Sequence, residues 1–230
     1  MKYLFCLLLM SLSMWSYADK DDLNTLQKQQ NEWFIVKQDN SRQITTYAKN
    51  EEGKKIRSFK VEAVVDASLA TLARIHFDVA NLKKWYWEAL DSKLLSKVSD
   101  TEYVYYMRFQ APLTTDRDVV IHAKVEPYQD VVHPYMRLSL KSAASTLPVP
   151  QNMTRIAAFD VDIKFTPLRD GKTQMEVEGL VDPAGDLPAW TVNMVQRQAP
   201  YATMLGLYRM IQKPEYKQLN DPLAFKYAQK

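Results

Sequence analysis

QAPLTTDRDVVIHAKV, residues 110–125, sets three charged residues, Asp116, Arg117 and Asp118, directly against the apolar run Val119, Val120 and Ile121. It follows the aromatic segment YVYYMRF, residues 103–109, across Pro112. Both flanks have the β-branched and aromatic content of strands, and a proline between them argues against one continuous strand. Successive residues of a strand face opposite sides of its sheet. Arg117, Val119, Ile121, Ala123 and Val125 therefore share one face, apolar after its first member, while Asp118, Val120, His122, Lys124 and Glu126 share a wetter one. Two roles are open for Arg117: its rigid fork suits the polar end of a ligand, and it equally suits a structural ion pair or cap where a loop meets a strand.

Further strands are expected on both sides of this stretch, over 33–37, 43–48, 56–65, 93–98, 135–141, 155–166 and 172–181. Residues 50–53 (NEEG) and the pair Asp170-Gly171 supply turn chemistry between neighbouring runs. The period changes after residue 67. Ser68 is placed to cap a helix whose apolar positions are Leu69, Leu72, Ala73, His76 and Phe77, and a second short helix is expected over 81–90. A polar helix is expected over 23–33. Over 187–212 the residues Trp190, Met194, Tyr201, Met204, Leu205, Tyr208 and Ile211 form a helical stripe, which Pro200 is expected to kink or break. Early strands, two small helices, a run of antiparallel strands and one long closing helix make an α+β pattern, with the long helix covering the sheet's concave face.

The first 18 residues have the form of a secretory signal peptide: Lys2, an apolar run over 4–12 and the small-residue ending Ser16-Tyr17-Ala18. That run is shorter than the ~20 residues of a membrane span. One soluble domain over 19–212, exported to the periplasm, is therefore expected, with a tail over 213–230. The only cysteine, Cys6, lies in the leader, so disulfides are not expected to support the core. A net charge of +3 from interleaved acidic and basic residues gives no basic stripe for nucleic acid. The three histidines, His76, His122 and His133, show no metal-ligand spacing, and no cofactor motif is present.

Trp85 after the first inserted helix, APLTTDRD (111–118) and DPAGDLPAWTVN (182–193) stand in the order and spacing found in the START lipid-binding domains, and the chain resembles that family from about residue 33 to residue 211. The resemblance implies a helix-grip fold: a curved antiparallel sheet wrapped around a long C-terminal helix, with two short helices inserted after the third strand. It also implies a tunnel for one lipid or sterol-like hydrophobic ligand. Two positions depart from the family pattern. Tyr86 stands where aspartate often follows the tryptophan, and Ala123 stands where members often carry a second, cavity-facing arginine, which implies a more apolar pocket.

Face alternation and the resemblance together nominate Arg117, Val119, Ile121, Ala123, Trp190, Met194, Tyr201, Met204, Leu205 and Tyr208 as ligand-lining residues. No catalytic residue is nominated, although His122 is the histidine best placed to join an acid/base pair. The expected function is a monomeric carrier, not an enzyme. A cyclase or hydrolase on the same fold is the first alternative, and an interaction module with a filled core is the second. Trp85, Tyr86 and Trp87 beside Lys83 and Lys84 form an aromatic and basic cluster suited to brief membrane contact during exchange.

Overall fold

The computed structural model describes residues 31–217, apart from 55, 112–113, 130–133, 186 and 188. The leader and residues 23–30 of the expected polar helix lie outside the described residues, and residues 31–33, its expected end, are not helical. Strands β1 (Phe34–Asp39), β2 (Ile44–Asn50) and β3 (Arg57–Val65) come first. Helix α1 (Leu69–Phe77) and a 3-10 turn (Val79–Lys84) then carry the chain across to β4 (Ala89–Lys97), β5 (Glu102–Phe109) and β6 (Asp116–Glu126). After β7 (Met136–Ser142), the short β8 (Met153–Arg155), β9 (Ala158–Pro167) and β10 (Thr173–Asp182), the chain closes with helix α2 (Ala189–Ile211) and one last turn of helix, α3 (Pro214–Lys217). The strands form one sheet in the order β1-β2-β3-β10-β9-β7-β6-β5-β4, antiparallel throughout except that β8 lies parallel against the start of β6.

Local chemistry accounts for the element ends. The Ser68 hydroxyl accepts from the Thr71 amide at 3.2 Å, capping α1 as its position in the sequence predicts. Asp170 and Gly171 both have positive φ, 67° and 72°, which is the left-handed pair a tight hairpin needs between β9 and β10. The apolar faces of β3, β5, β6, β7, β9 and β10 point to one side and meet α1, the Trp85 turn and α2 in a single core. Helix α2 packs across β1, β2 and β3 and against α1.

Three expectations need correction. The second helix expected over 81–90 is only the 3-10 turn to Lys84, because Glu88 takes φ 53° and the chain is already in strand at Ala89. The strand expected over 155–166 is two strands, since Ile156 turns into the core, its amide donating to the Asp118 carbonyl at 2.9 Å, while the Ala157 amide crosses to Asp182. Pro200 does not break the closing helix, which runs unbroken for 23 residues. One missing N–H is a cost that the helix's tertiary packing outweighs.

Gly206 fixes how closely α2 approaches the rest of the core. A Cβ there would collide with the Trp85 carbonyl oxygen and lie 2.8 and 2.9 Å from the Trp85 carbonyl carbon and Cα. These are backbone atoms that cannot swing aside. One turn earlier the Thr203 hydroxyl accepts from the Trp87 amide at 3.2 Å. Gly206→Ala should therefore destabilise by ~1–3 kcal/mol through overpacking, although alanine alone would favour the helix by about 1 kcal/mol. Urea unfolding gives the sign directly, and a more stable variant would show that the contact is not tight.

Candidate functional site

Beneath α2 lies a cavity of about 240 Å³. Its floor is apolar, formed by Val61 of β3, Phe159, Val161 and Ile163 of β9, Met175 and Val177 of β10, and Ile156. Its roof is the face of α2 that carries Val192, Val195, Gln196, Ala199, Pro200, Thr203, Met204 and Leu207. His76, Trp85 and Tyr86 close one side, and the cavity reaches the surface at the exposed residues Glu88, Gln110 and Thr114. The short side chains of Ala199, Pro200 and Thr203 leave the space unfilled, where larger residues on the same face would occupy it.

Of the residues nominated from sequence, Arg117 and Met204 stand on the cavity wall. Val119, Ile121 and Ala123 face the right side of the sheet but are fully buried in the core behind the wall. Tyr201 and Tyr208 belong to a neighbouring face of α2. The Tyr201 hydroxyl donates to the Asp39 carboxylate at 2.6 Å, and the Tyr208 hydroxyl reaches the carbonyls of Arg42 at 2.5 Å and Val64 at 2.9 Å. Leu205 is partly buried against the core and Met194 is half-buried, neither on the wall. The side chain of Trp190 lies outside what is described. The aromatic stripe thus marks how α2 is fastened to the β1–β2 side, while its smaller residues face the hollow. Large side chains dominate a hydrophobic pattern, so a lining of alanine, proline and threonine left little signal.

Arg117 is 5% exposed and its guanidinium is already engaged. Nε donates to the Pro183 carbonyl at 3.2 Å and Nη2 to the Ala184 carbonyl at 3.3 Å. Nη1 donates to the Thr114 hydroxyl at 3.1 Å and also to the Thr115 carbonyl. Burial lowers its pKa, with Asp116 acting in the opposite direction. The group therefore clasps the turn between β10 and α2, where Ala184 and Gly185 have φ of 58° and 74°. Its neighbour Asp118 is not on a wet face. Asp118 is 0% exposed, and its carboxylate accepts from Arg155 Nε at 2.9 Å and Nη2 at 2.7 Å.

The cavity's histidine is His76, not His122, the one that the sequence pattern favours for an acid/base pair. It is fully buried, edge-on to the rings of Trp85 and Phe165 with centroids 5.2 Å from each. Desolvation lowers its pKa to about 4, against the opposing effect of a 2.8 Å hydrogen bond between Nδ1 and the Leu72 carbonyl. A carbonyl only accepts, so Nδ1 carries a proton, and the lowered pKa leaves the ring neutral near pH 7. The unfolded chain binds this proton below its ordinary value of 6.5 and the folded chain only near 4, so stability is full above about pH 6.5 and lost as pH falls towards 4. That gap corresponds to ~3 kcal/mol. Wild type should lose more stability than His76→Phe between about pH 7 and about pH 4 in urea titrations, and equal losses would contradict the assignment.

His122 has no place in the cavity. It lies on the other face of β6, paired at 2.6 Å with Glu102. His133 lies outside the described residues. Trp85 is 4% exposed, and Tyr86 and Trp87 are half-buried on the cavity wall, so the aromatic cluster expected at a membrane surface is mostly turned inward. Burial raises the Tyr86 pKa. Among the described residues, no group of His, Cys, Asp and Glu is arranged to hold a metal ion, and no helix is long and apolar enough to cross a membrane.

The family model for the START domain matches residues 13–202. The chain belongs to the START domain family. Its fold superposes on the STAR-related lipid transfer protein of Xanthomonas axonopodis with a TM-score of 0.70 at 24% identity, covering 79% of this chain and 99% of that one. Human STARD10 gives a TM-score of 0.68 at 20% identity, covering 88% and 83%. An uncharacterized protein of Pseudomonas aeruginosa is 24% identical over 182 residues, which is 79% of this chain and 88% of the relative. These START domains share the large antiparallel sheet with a C-terminal helix.

Proposed function

We propose that this START domain is a carrier that encloses one hydrophobic ligand between its sheet and α2 and moves it through an aqueous compartment. The observation that carries this reading is the unfilled apolar hollow beneath α2. Each methylene withdrawn from water into such a wall contributes about 0.8 kcal/mol. Membership in a family whose structural neighbours include named lipid transfer proteins points the same way. The expected leader over 1–18 supports export, with the periplasm as the compartment to be crossed.

A volume of about 240 Å³ is just below the ~300–1,000 Å³ of most small-molecule sites, so a long lipid needs α2 to yield. Along its outer side the helix is held by the Tyr201 and Tyr208 hydroxyls. The Tyr208 bonds to backbone carbonyls contribute ~1 kcal/mol each and the Tyr201 bond to the Asp39 carboxylate about 1.5–3 kcal/mol, which leaves lifting accessible. Loading and release would then accompany brief contact with a membrane. A carrier fits the site better than a catalyst, because burial lowers the pKa of His76, the histidine on the wall, to about 4, far from the neutral range in which an imidazole serves best as acid or base.

Native mass spectrometry of the purified chain, followed by solvent extraction, tests the proposal. One co-purified lipid per chain is the expected result. A protein that emerges empty and takes up nothing from a mixed lipid extract would overturn it.

A further inference from the structure

Leu90, Leu94, Leu95 and Val98 are 38–57% exposed and fall within one short stretch of chain, along β4 and just past its end. β4 is the last strand of the sheet and pairs with β5 on one side only. Single exposed apolar residues are ordinary on a protein surface, whereas a row of them marks a contact. The row starts where the cavity opens. Ala89, the first residue of β4, follows the mouth residue Glu88, whose carbonyl accepts from the amide of Gln110, also at the mouth, at 2.8 Å. From Leu90 to Val98 the edge runs roughly 25 Å away from that opening.

A free edge invites another strand, but this one is built against it. Its register with β5 slips between Ala89 and Asp91 and again between Leu94 and Ser96, which makes Leu90 and Leu95 the extra residues of two bulges. Each bulge interrupts the row of backbone donors and acceptors that an added strand would need. Antiparallel pairing of two copies about Leu95 would also set Lys93 of one opposite Lys97 of the other, and like charges directly opposite are destabilising.

A lipid surface meets neither obstacle. Lys83, Lys84, Lys93 and Lys97 are exposed along the same stretch, together with the acids Glu88, Asp91 and Asp100. Lys83 takes Asp91 at 3.1 Å and Lys97 takes Asp100 at 2.6 Å, while Lys84 and Lys93 have no carboxylate partner among the described residues. Exposed pairs contribute little, so lipid phosphate can replace the two aspartates. Leucines able to enter the head-group boundary beside lysines that keep their charge in water suit an anionic bilayer.

We propose that the β4 edge is the surface by which this protein lands on a bilayer bearing anionic lipid, with its exposed leucines in the head-group layer and the cavity mouth at one end of the contact. The edge takes over the membrane contact that Trp85, Tyr86 and Trp87, on the cavity wall, do not supply. Only its purpose rests on the carrier reading, since such an edge binds a bilayer whatever the cavity holds.

Co-sedimentation of the full chain with vesicles tests the proposal. Wild type should bind vesicles of phosphatidylcholine with about one-third phosphatidylglycerol at least about tenfold more tightly than vesicles of phosphatidylcholine alone. Leu94→Ser with Leu95→Ser should weaken that binding at least about tenfold. Lys93→Glu with Lys97→Glu should weaken it about thirtyfold or more. Leu147→Ser with Val149→Ser removes two exposed apolar side chains elsewhere and should bind as wild type does. Equal binding to the two kinds of vesicle, or a leucine variant no weaker than that control, overturns the proposal and leaves the carrier standing. So does a dimer in sedimentation velocity that the leucine variant disperses, which would give the edge to a second copy of the chain. An empty protein that takes up no lipid overturns the carrier reading and leaves the vesicle result intact.

Discussion

Arg155→Leu is expected to cost the fold ~3 kcal/mol, read as a shift of the urea midpoint with an unchanged slope. The reason is the carboxylate it leaves behind. Asp118 is 0% exposed and receives both donors of the Arg155 fork. The parallel pairing of β8 with β6 sets Arg155 directly opposite Asp118, so the bidentate geometry follows from the register. Removing one member of a buried pair typically costs ~3–5 kcal/mol. The low end applies because the Arg155 side chain is 23% exposed and water can partly replace it. The double variant Asp118→Leu with Arg155→Leu should recover most of the loss, since neither charge then remains to be desolvated. A double variant as unstable as Arg155→Leu would mean that β8 is held by something other than this pair.

The same geometry explains why charges stand against a greasy strand at residues 116–118. Arg117 points inward and clasps the turn that starts α2, while Asp118 points outward and secures β8. Strand alternation foretold the opposite directions of these two residues. It did not foretell that Asp118 is buried, because its cover comes from residues nearly forty positions later, through a parallel pairing of three residues too short to leave a periodic signal. Order and identity of the long elements were legible for the opposite reason. Run 103–109 is rich in aromatic and β-branched residues, run 118–126 alternates from Ile121 onward, and the turn pair Asp170-Gly171 admits few other conformations. Most of the cavity wall was not legible. His76 looked like one more residue on the buried face of α1, and the roof positions Ala199, Pro200 and Thr203 are defined by what they lack. The nominated tyrosines instead fasten the helix. A hollow is made where side chains are small, and hydrophobic patterning weights the large ones.

Ala199→Trp should abolish ligand capture while leaving the fold intact. Ala199 lies on the roof of the cavity, where its small side chain leaves room. An indole there would project into a space of about 240 Å³ and occupy much of it. Affinity for the co-purified ligand should fall at least about a hundredfold, because the apolar contacts of several methylenes, at about 0.8 kcal/mol each, are displaced together. Stability should change by less than the ~1–3 kcal/mol of a forced overpacking, since the ring enters existing space. The exposed Arg197, two residues earlier, provides the control. Arg197→Trp adds the same ring to the same helix outside the cavity and should still carry one ligand per chain. If Ala199→Trp also retains one ligand per chain, the ligand sits elsewhere and the hollow under α2 is a packing defect, since a filled site cannot bind and an unrelated site would not notice the filling.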